Sequence, residues 1–390
     1  MSVSLIVASA DEHFRETVRE GLLNVANGKV IAEFPDVSGN LYIRVTQELE
    51  RHPEAALLVD LAADNETALK AVEKVKQAIP DLYIVASNFH ADGDSVIAAV
   101  RAGASDFLLQ PLKRSEFREA MDRIARTPRR ALNLASGLGK MYAFLGAKGG
   151  VGATTLAVNF AGVLAQRKRN TVLVDLDFMA NDVAMQLGVT PQHTLAEVAE
   201  NLNRLDQALF EGFVARDPLG FYFVGPPEAL ENRLYFTDAM FREFSAFLIE
   251  KYQSIVVDAG KGIADDLVYA ALQSSATVFL VLTQEFPAIR NAQRYISFLM
   301  RMGFNQDQLK VVVNRYQKKP PSGFATLEQI VQTLNQPVFY GIPPSAAVLE
   351  SINKSRPFVA DRQAAGELDR VFRAFVDKAT GEKPALAKSA

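Results

Sequence analysis

The stretch Phe144-Leu145-Gly146-Ala147-Lys148-Gly149-Gly150-Val151-Gly152-Ala153-Thr154-Thr155 constrains this chain more than any other. A short apolar run at residues 141–145 predicts a strand, glycines follow at 146, 149, 150 and 152, and Leu156, Phe160 and Leu164 then recur at helical spacing through residue 166. This order is a strand, a phosphate-sized loop and a helix. Glycines let successive backbone N–H groups turn inward as a concave nest, and the helix N-terminus adds partial positive charge, so a polyphosphate is the natural guest. Thr154 stands where a P-loop carries its Mg²⁺-binding hydroxyl. Ala153, however, stands where the G-x-x-x-x-G-K-[ST] pattern has its lysine. The loop carries its lysine near its start, at Lys148.

The string Lys148-Gly149-Gly150-Val151-Gly152-Ala153-Thr154-Thr155 resembles the deviant Walker A motif of the MinD/ParA ATPases. The resemblance implies a P-loop NTPase domain with a mostly parallel, doubly wound sheet. It also implies ATP and Mg²⁺ as ligands, and a homodimer in which Lys148 reaches the partner's nucleotide. A run of residues 171–177 predicts a buried parallel strand ending in acids. Matched to the family, Asp177 falls where the attacking water is oriented, Asp175 where the Mg²⁺ shell is supported, and Asn181 on an asparagine of the same loop. Residues 254–260 match the second switch, with Asp258 holding Mg²⁺ through water. Asn314, ending a predicted strand at 309–313, falls where the family contacts the adenine edge. Pro343 lies in a loop and helix, 342–353, that resembles the family's closure over the base. Further strands are predicted at 220–224, 276–282 and 337–341, and helices at 195–216 and 238–251.

Ahead of this domain, residues 3–125 alternate short apolar runs with amphipathic segments, the pattern of a small doubly wound α/β domain. Strands are predicted at 4–8, 29–33, 56–60, 82–87 and 106–109, with helices such as 66–78 and 95–102 between them. The order resembles receiver domains, flavodoxin-like in fold, and residues 101–111 match a characteristic stretch of that family. The resemblance puts Asp60 at the phosphoacceptor and Ser87 at the switch hydroxyl. Ser9 and Ala10 stand where the acidic pair belongs, with Asp11 off register, and Gln110 replaces the lysine. Without those charges nothing neutralises a phosphoryl group in transfer, so a docking or dimerisation module is expected rather than a phosphorylated switch.

The expected organisation is a receiver-like domain at 1–126, a linker at 127–140 rich in Pro, Arg, Ser and Gly, an ATPase domain at 141–378, and a disordered tail at 379–390. A net charge of −3 over 390 residues gives no global basic character, so specific nucleic-acid binding is not expected. The absence of cysteine excludes disulfides and thiolate metal sites and fits a reducing cytoplasm. The four histidines, His13, His52, His90 and His193, lack ligand spacing. No apolar stretch approaches the ~20 residues that span a bilayer, and no leader pattern opens the sequence, so a cytoplasmic protein is expected, reaching a membrane only through partners.

A degenerate receiver in front of a MinD/ParA-like ATPase lacking the second P-loop lysine resembles the CpaE/TadZ proteins of Flp/Tad pilus assembly. That resemblance implies pilus and secretion proteins as partners, often at the cell pole. The rivals are a ParA-type DNA-partition or other MinD-like positioning ATPase, a response regulator with an ATPase output, and a scaffold that holds ATP without turnover. One charged hydrogen bond to phosphate contributes about 1.5–3 kcal/mol, roughly ten- to a hundredfold in affinity. Ala153 is therefore expected to weaken binding without abolishing it, and to slow hydrolysis more, leaving a weak ATPase.

Overall fold

The computed structural model describes residues 3–23, 25, 28–37, 41–90, 92–126, 138–227, 236–304 and 306–382. The chain forms two compact units, residues 1–137 and 138–390.

The first unit alternates β1 (Val3–Ala8), α1 (Glu12–Leu22), β2 (Gly28–Phe34), α2 (Leu41–Arg51), β3 (Ala56–Asp60), α3 (Asn65–Ala78), β4 (Ile84–Asn88), α4 (Gly93–Ala102), β5 (Asp106–Leu109) and α5 (Arg114–Arg126). Its five parallel strands lie in the order β2-β1-β3-β4-β5, the doubly wound flavodoxin-like arrangement. Strands β1, β3 and β4 are buried along their whole length, which is why they read as continuous apolar runs and not as alternations. Leu5, Val7 and Leu58 meet Phe14, Val18, Phe117 and Met121 of the amphipathic α1 and α5 in one core. Asp11, Asp64 and Asp92 cap α1, α3 and α4 by accepting backbone N–H groups.

At the end of β3 the Asp60 carboxylate is only 3% exposed. Ser9 Oγ donates to its Oδ2 at 2.6 Å, while Gln110 Nε2 at 2.8 Å and the Ala62 N–H at 2.9 Å donate to its Oδ1. Ser9 and Gln110 thus close over Asp60 as neutral donors.

The second unit contains β6 (Lys140–Gly146), α6 (Ala153–Gln166), β7 (Thr171–Asp175), α7 (Asp182–Leu187), α8 (Leu195–Asn201), α9 (Gln207–Phe213), β8 (Ala215–Arg216), β9 (Tyr222–Val224) and α10 (Asp238–Lys251). It continues through β10 (Ser254–Lys261), α11 (Asp266–Ser274), β11 (Thr277–Leu282), α12 (Phe286–Arg301), β12 (Leu309–Asn314), α13 (Leu327–Leu334), β13 (Val338–Ile342), α14 (Ala346–Asn353), α15 (Arg362–Ala365) and α16 (Glu367–Thr380). The sheet order is β13-β12-β11-β6-β10-β7-β9-β8, parallel except for the antiparallel β8–β9 edge.

Strand β6 thus lies inside the sheet, and α6, buried over most of its surface, packs against β6, β7 and β10. Phe144 and Phe279 from the sheet pack, tilted or edge-on, with Phe160 of α6 and Phe375 of α16; the Phe144–Phe279 and Phe279–Phe375 ring centroids are 4.9 Å and 5.2 Å apart. Each such ring contributes about 1.5–3 kcal/mol on burial. The cluster fixes where β6 ends and α6 begins, and so the span of the loop between them.

Three expectations are corrected. The segment 195–216 is not one helix: the capping box Thr194–Glu197 starts α8, and Asp206, accepting the Leu209 N–H at 2.8 Å, starts α9 after a break. Strand β7 ends at Asp175, because Asp175 Oδ1 accepts the Asp177 N–H at 2.8 Å and turns the chain out of the sheet. The chain beyond residue 378 is not free: α16 runs to Thr380, Gly381 ends it in the left-handed region, and Glu382 pairs with Arg167 and Arg169. Of the expected linker, 127–137 lie outside the described residues, as do 383–390 of the expected tail, and Lys140 already belongs to β6.

Candidate functional site

The carboxyl ends of six neighbouring strands, β13, β12, β11, β6, β10 and β7, carry the residues of the site. Crevices outside strand ends are where open parallel sheets bind ligands. From β6 the chain enters the glycine loop and leaves it at α6, whose N-terminus is Gly152 at φ +90°. A side chain there meets more than strain. A Cβ on Gly152 would fall 2.4 Å from Asn314 Nδ2. Asn314 Nδ2 instead donates to the Val151 carbonyl at 2.8 Å, and Arg315 Nη2 donates to the Gly150 carbonyl. The end of β12 therefore holds the loop by two carbonyls, which leaves those peptides' N–H groups turned away from β12. Sequence reasoning named Asn314 for base contact and missed both this buttress and Arg315, because neither follows from a local pattern.

Beside it lies a cleft of about 470 Å³, lined by Gly152, Thr155, Asn314, Ile342, Pro343 and neighbouring residues of α14. Pro343 and Asn314, far apart in sequence, share its wall. The lining is mostly apolar with a few polar groups, which suits a flat heterocycle.

Asp175 and Asp258 are register partners across β7 and β10, and both are fully buried. Burial pushes the Asp258 carboxyl up to about 6; the nearby Thr154 hydroxyl and the Gly260 N–H, 3.1 Å from Oδ1, pull the other way. Burial, then the charge of Asp258, pushes Asp175 well above the usual carboxylate range. One oxygen of each, Asp175 Oδ2 and Asp258 Oδ2, has no hydrogen-bond partner. Two buried carboxylates each with an unpartnered oxygen are unfavourable when ionised unless a cation or its water joins them. Two carboxylates and one hydroxyl suit Mg²⁺, which keeps waters and takes further oxygens from phosphate. Among the described residues there is no group of three or more His, Cys, Asp or Glu placed to hold a metal, so this is not an all-protein cage.

Asp177 sits just past β7, against Gly260 of β10. Gly260 is at φ +60°, and a Cβ there would come within 2.9 Å of the Asp177 Cβ and Oδ2. Glycine is what lets the two strand ends close on each other. Asp177 Oδ1 accepts the Met179 N–H at 3.2 Å. Asn181 lies in the left-handed region at φ +50°, its Oδ1 buried and without a partner.

Lys148 does not point away from its own chain. Its ammonium forms an ion pair with Glu285, at the start of α12 beyond β11, and both side chains are 34% exposed. A pair this open contributes about 0–1 kcal/mol, so it is easily exchanged. Glu285 carried no signal in the sequence; only the adjacency of β11 and β6 brings it to the loop.

Residues 142–358 match the family described as the CobQ/CobB/MinD/ParA nucleotide binding domain. The chain is similar to the septum site-determining protein MinD of Thermotoga maritima, 25% identical over 226 residues, 56% of this chain and 81% of the relative. In structure it is similar to a ParA family ATPase from Chlorobium tepidum, at TM-score 0.56 and 21% identity, covering 62% of this chain and 98% of that one. It is also similar to MinD of Pyrococcus horikoshii, a protein complexed with Mg-ADP, at TM-score 0.54 and 19% identity, covering 62% and 96%.

Proposed function

The chain belongs to the family of CobQ/CobB/MinD/ParA nucleotide-binding domains, and from that premise we propose that it binds ATP with Mg²⁺, pairs with a second copy of itself while the triphosphate is bound, and hydrolyses it slowly. The observation that carries this reading is the buried Asp175–Asp258 pair with its two unpartnered oxygens beside Thr154. Thr154, Asp175 and Asp258 would hold Mg²⁺, largely through water, and the ion would supply neutralising charge on the phosphates. The N–H groups from Gly149 to Thr155, backed by the α6 N-terminus, bind phosphate oxygens. The cleft at Asn314 and Pro343 takes the base. Asp177, held by Gly260 and the Met179 N–H, orients the attacking water. With Ala153 supplying no charge, turnover is weak.

Lys148 makes the pairing conditional. Within one chain it is engaged by Glu285, and it serves a partner's nucleotide only when that contact is exchanged for phosphate, which the small worth of an open pair permits. Charge stabilisation is then linked to dimerisation. Light scattering of wild type and Lys148→Ala, with ATP, with ADP and without nucleotide, tests this. The mass of wild type should double with ATP alone, and that of the variant should not change; a wild-type mass indifferent to ATP refutes the pairing.

The finer reading is a protein of the CpaE/TadZ type that recruits Flp/Tad pilus and secretion proteins at the cytoplasmic face of the inner membrane, often at the pole. It is supported by the order of the two units and by Ala153. No helix among the described residues is long and apolar enough to cross a membrane, so partners would provide that attachment. The first unit, with Asp60 closed over by Ser9 and Gln110, serves as a docking or dimerisation module. A fluorescently tagged chain should form polar foci only where the pilus genes are present; foci unchanged by their deletion reject the assignment. A DNA-shift assay that responded steeply to salt would favour the partition alternative.

A further inference from the structure

Ala153 leaves the α6 N-terminus without the cation that a P-loop normally presents, and Lys148 is turned onto Glu285. A different lysine approaches the same loop. Lys261 ends β10, three residues after Asp258, and is the register partner of Gly146 at the loop's start. It is flanked by Gly260 and Gly262, both at positive φ, +60° and +93°. A Cβ built on Gly149 would lie 3.6 Å from Lys261 Cδ and 4.0 Å from its Nζ, so the aliphatic stem runs beside the loop and ends next to it. The residue is exposed to solvent, and its charge opposes the rise that burial and Asp177 cause in Asp182. The cation thus stands between the glycine loop and the acids that follow β7.

Its place along the loop defines what it reaches. The base cleft is lined by Gly152, Thr155 and Asn314, at the helix end. Gly146 and Gly149 are at the strand end, where Asp177 and Asp258 also converge. A nucleotide with its base in the cleft and its phosphates along the nest carries its outermost phosphates toward Lys261. Lysine is a compact point charge with three donors, suited to phosphate without bidentate geometry.

We propose that Lys261 supplies, from the same subunit, the phosphate-binding charge that Ala153 does not, acting on the terminal phosphates of a nucleoside triphosphate. The proposal rests on the nucleotide-binding reading above. It separates two duties: Lys261 serves the nucleotide in its own subunit, and Lys148 serves the partner's.

Calorimetric titration of the full chain with Mg-ATP and Mg-ADP tests it, using wild type, Lys261→Ala, and Lys261→Ala combined with Ala153→Lys. Lys261→Ala should weaken ATP by about tenfold or more and ADP by about threefold at most, the loss of one charged phosphate contact. The combined variant should recover the loss. An unchanged ATP affinity in Lys261→Ala, an equal loss for ATP and ADP, or a combined variant as weak as Lys261→Ala overturns the assignment. A wild type that binds neither nucleotide overturns the nucleotide reading itself, and this assignment with it. Because Lys261 is exposed, matching melting curves for wild type and Lys261→Ala are expected and establish that the fold is intact.

Discussion

Replacing Asp258 by asparagine should make the ligand-free protein more stable while removing its response to Mg-ATP. The Asp258 side chain has no solvent exposure, and burial raises its carboxyl from the ordinary 3.8 to about 6. At about 1.4 kcal/mol per pH unit, that gap means that ionised Asp258 lowers the stability of the fold by about 3 kcal/mol at neutral pH. The sign follows from the direction of the shift. Below about pH 4 the group is protonated in both folded and unfolded chains and there is no penalty; the penalty grows as pH rises from about 4 to about 6 and is complete above that. The asparagine side chain is a neutral isostere, with about 1 kcal/mol lost to a buried amide that lacks full hydrogen bonding. The net gain is about 2 kcal/mol at about pH 7.5, or about 5 °C in melting temperature for a unit of this size, falling below about 1 kcal/mol at about pH 5. Thermal unfolding followed by circular dichroism at both pH values, with and without Mg-ATP, measures it. A variant less stable than wild type at about pH 7.5 without ligand, or a gain equal at both pH values, would refute the view that Asp258 is held against its own burial energy for a cation.

Three further outcomes are expected. Acetyl phosphate should add no mass to the chain, whereas Asp60→Ala should cost about 3 kcal/mol in chemical denaturation of the first unit, because three donors that now converge on Asp60 lose their acceptor; phosphate incorporation at Asp60 would overturn the docking role. Glu382→Ala should lower the stability of the second unit by at most about 1 kcal/mol, read as a slight fall in melting temperature, since its contacts with Arg167 and Arg169 are partly exposed. Burial raises the Glu382 pKa but hydrogen bonding and charge from Arg169 and Arg167 outweigh it and lower it overall, so this contribution is present above the ordinary glutamate range and fades as pH falls through it. No effect of Glu382→Ala at neutral pH would show that the end of α16 is held by packing alone.

The sequence alone determined the alternation of strands and helices, because parallel strands buried on both faces leave continuous apolar runs that differ from amphipathic helices. Strands β3 and β5 fall at the residues predicted, 56–60 and 106–109, and α10 at 238–251. The glycine loop was equally legible, since each glycine and Thr154 lie within one short stretch. What local pattern could not supply was adjacency. Asp175 and Asp258 are 83 positions apart, the difference of their residue numbers, yet the order β6-β10-β7 makes them register partners and leaves each with an unpartnered oxygen. Only the placement of β11 beside β6 turns Lys148 onto Glu285, and only the end of β12 ties Asn314 and Arg315 to loop carbonyls. Lys261 carried no signal in the sequence; at the end of β10 it acquires one from Gly149 beside it. The physical reason is the same in each case: hydrophobic periodicity and turn chemistry act between near neighbours in the chain, whereas electrostatics and desolvation act between neighbours in space, and sheet order alone decides which those are.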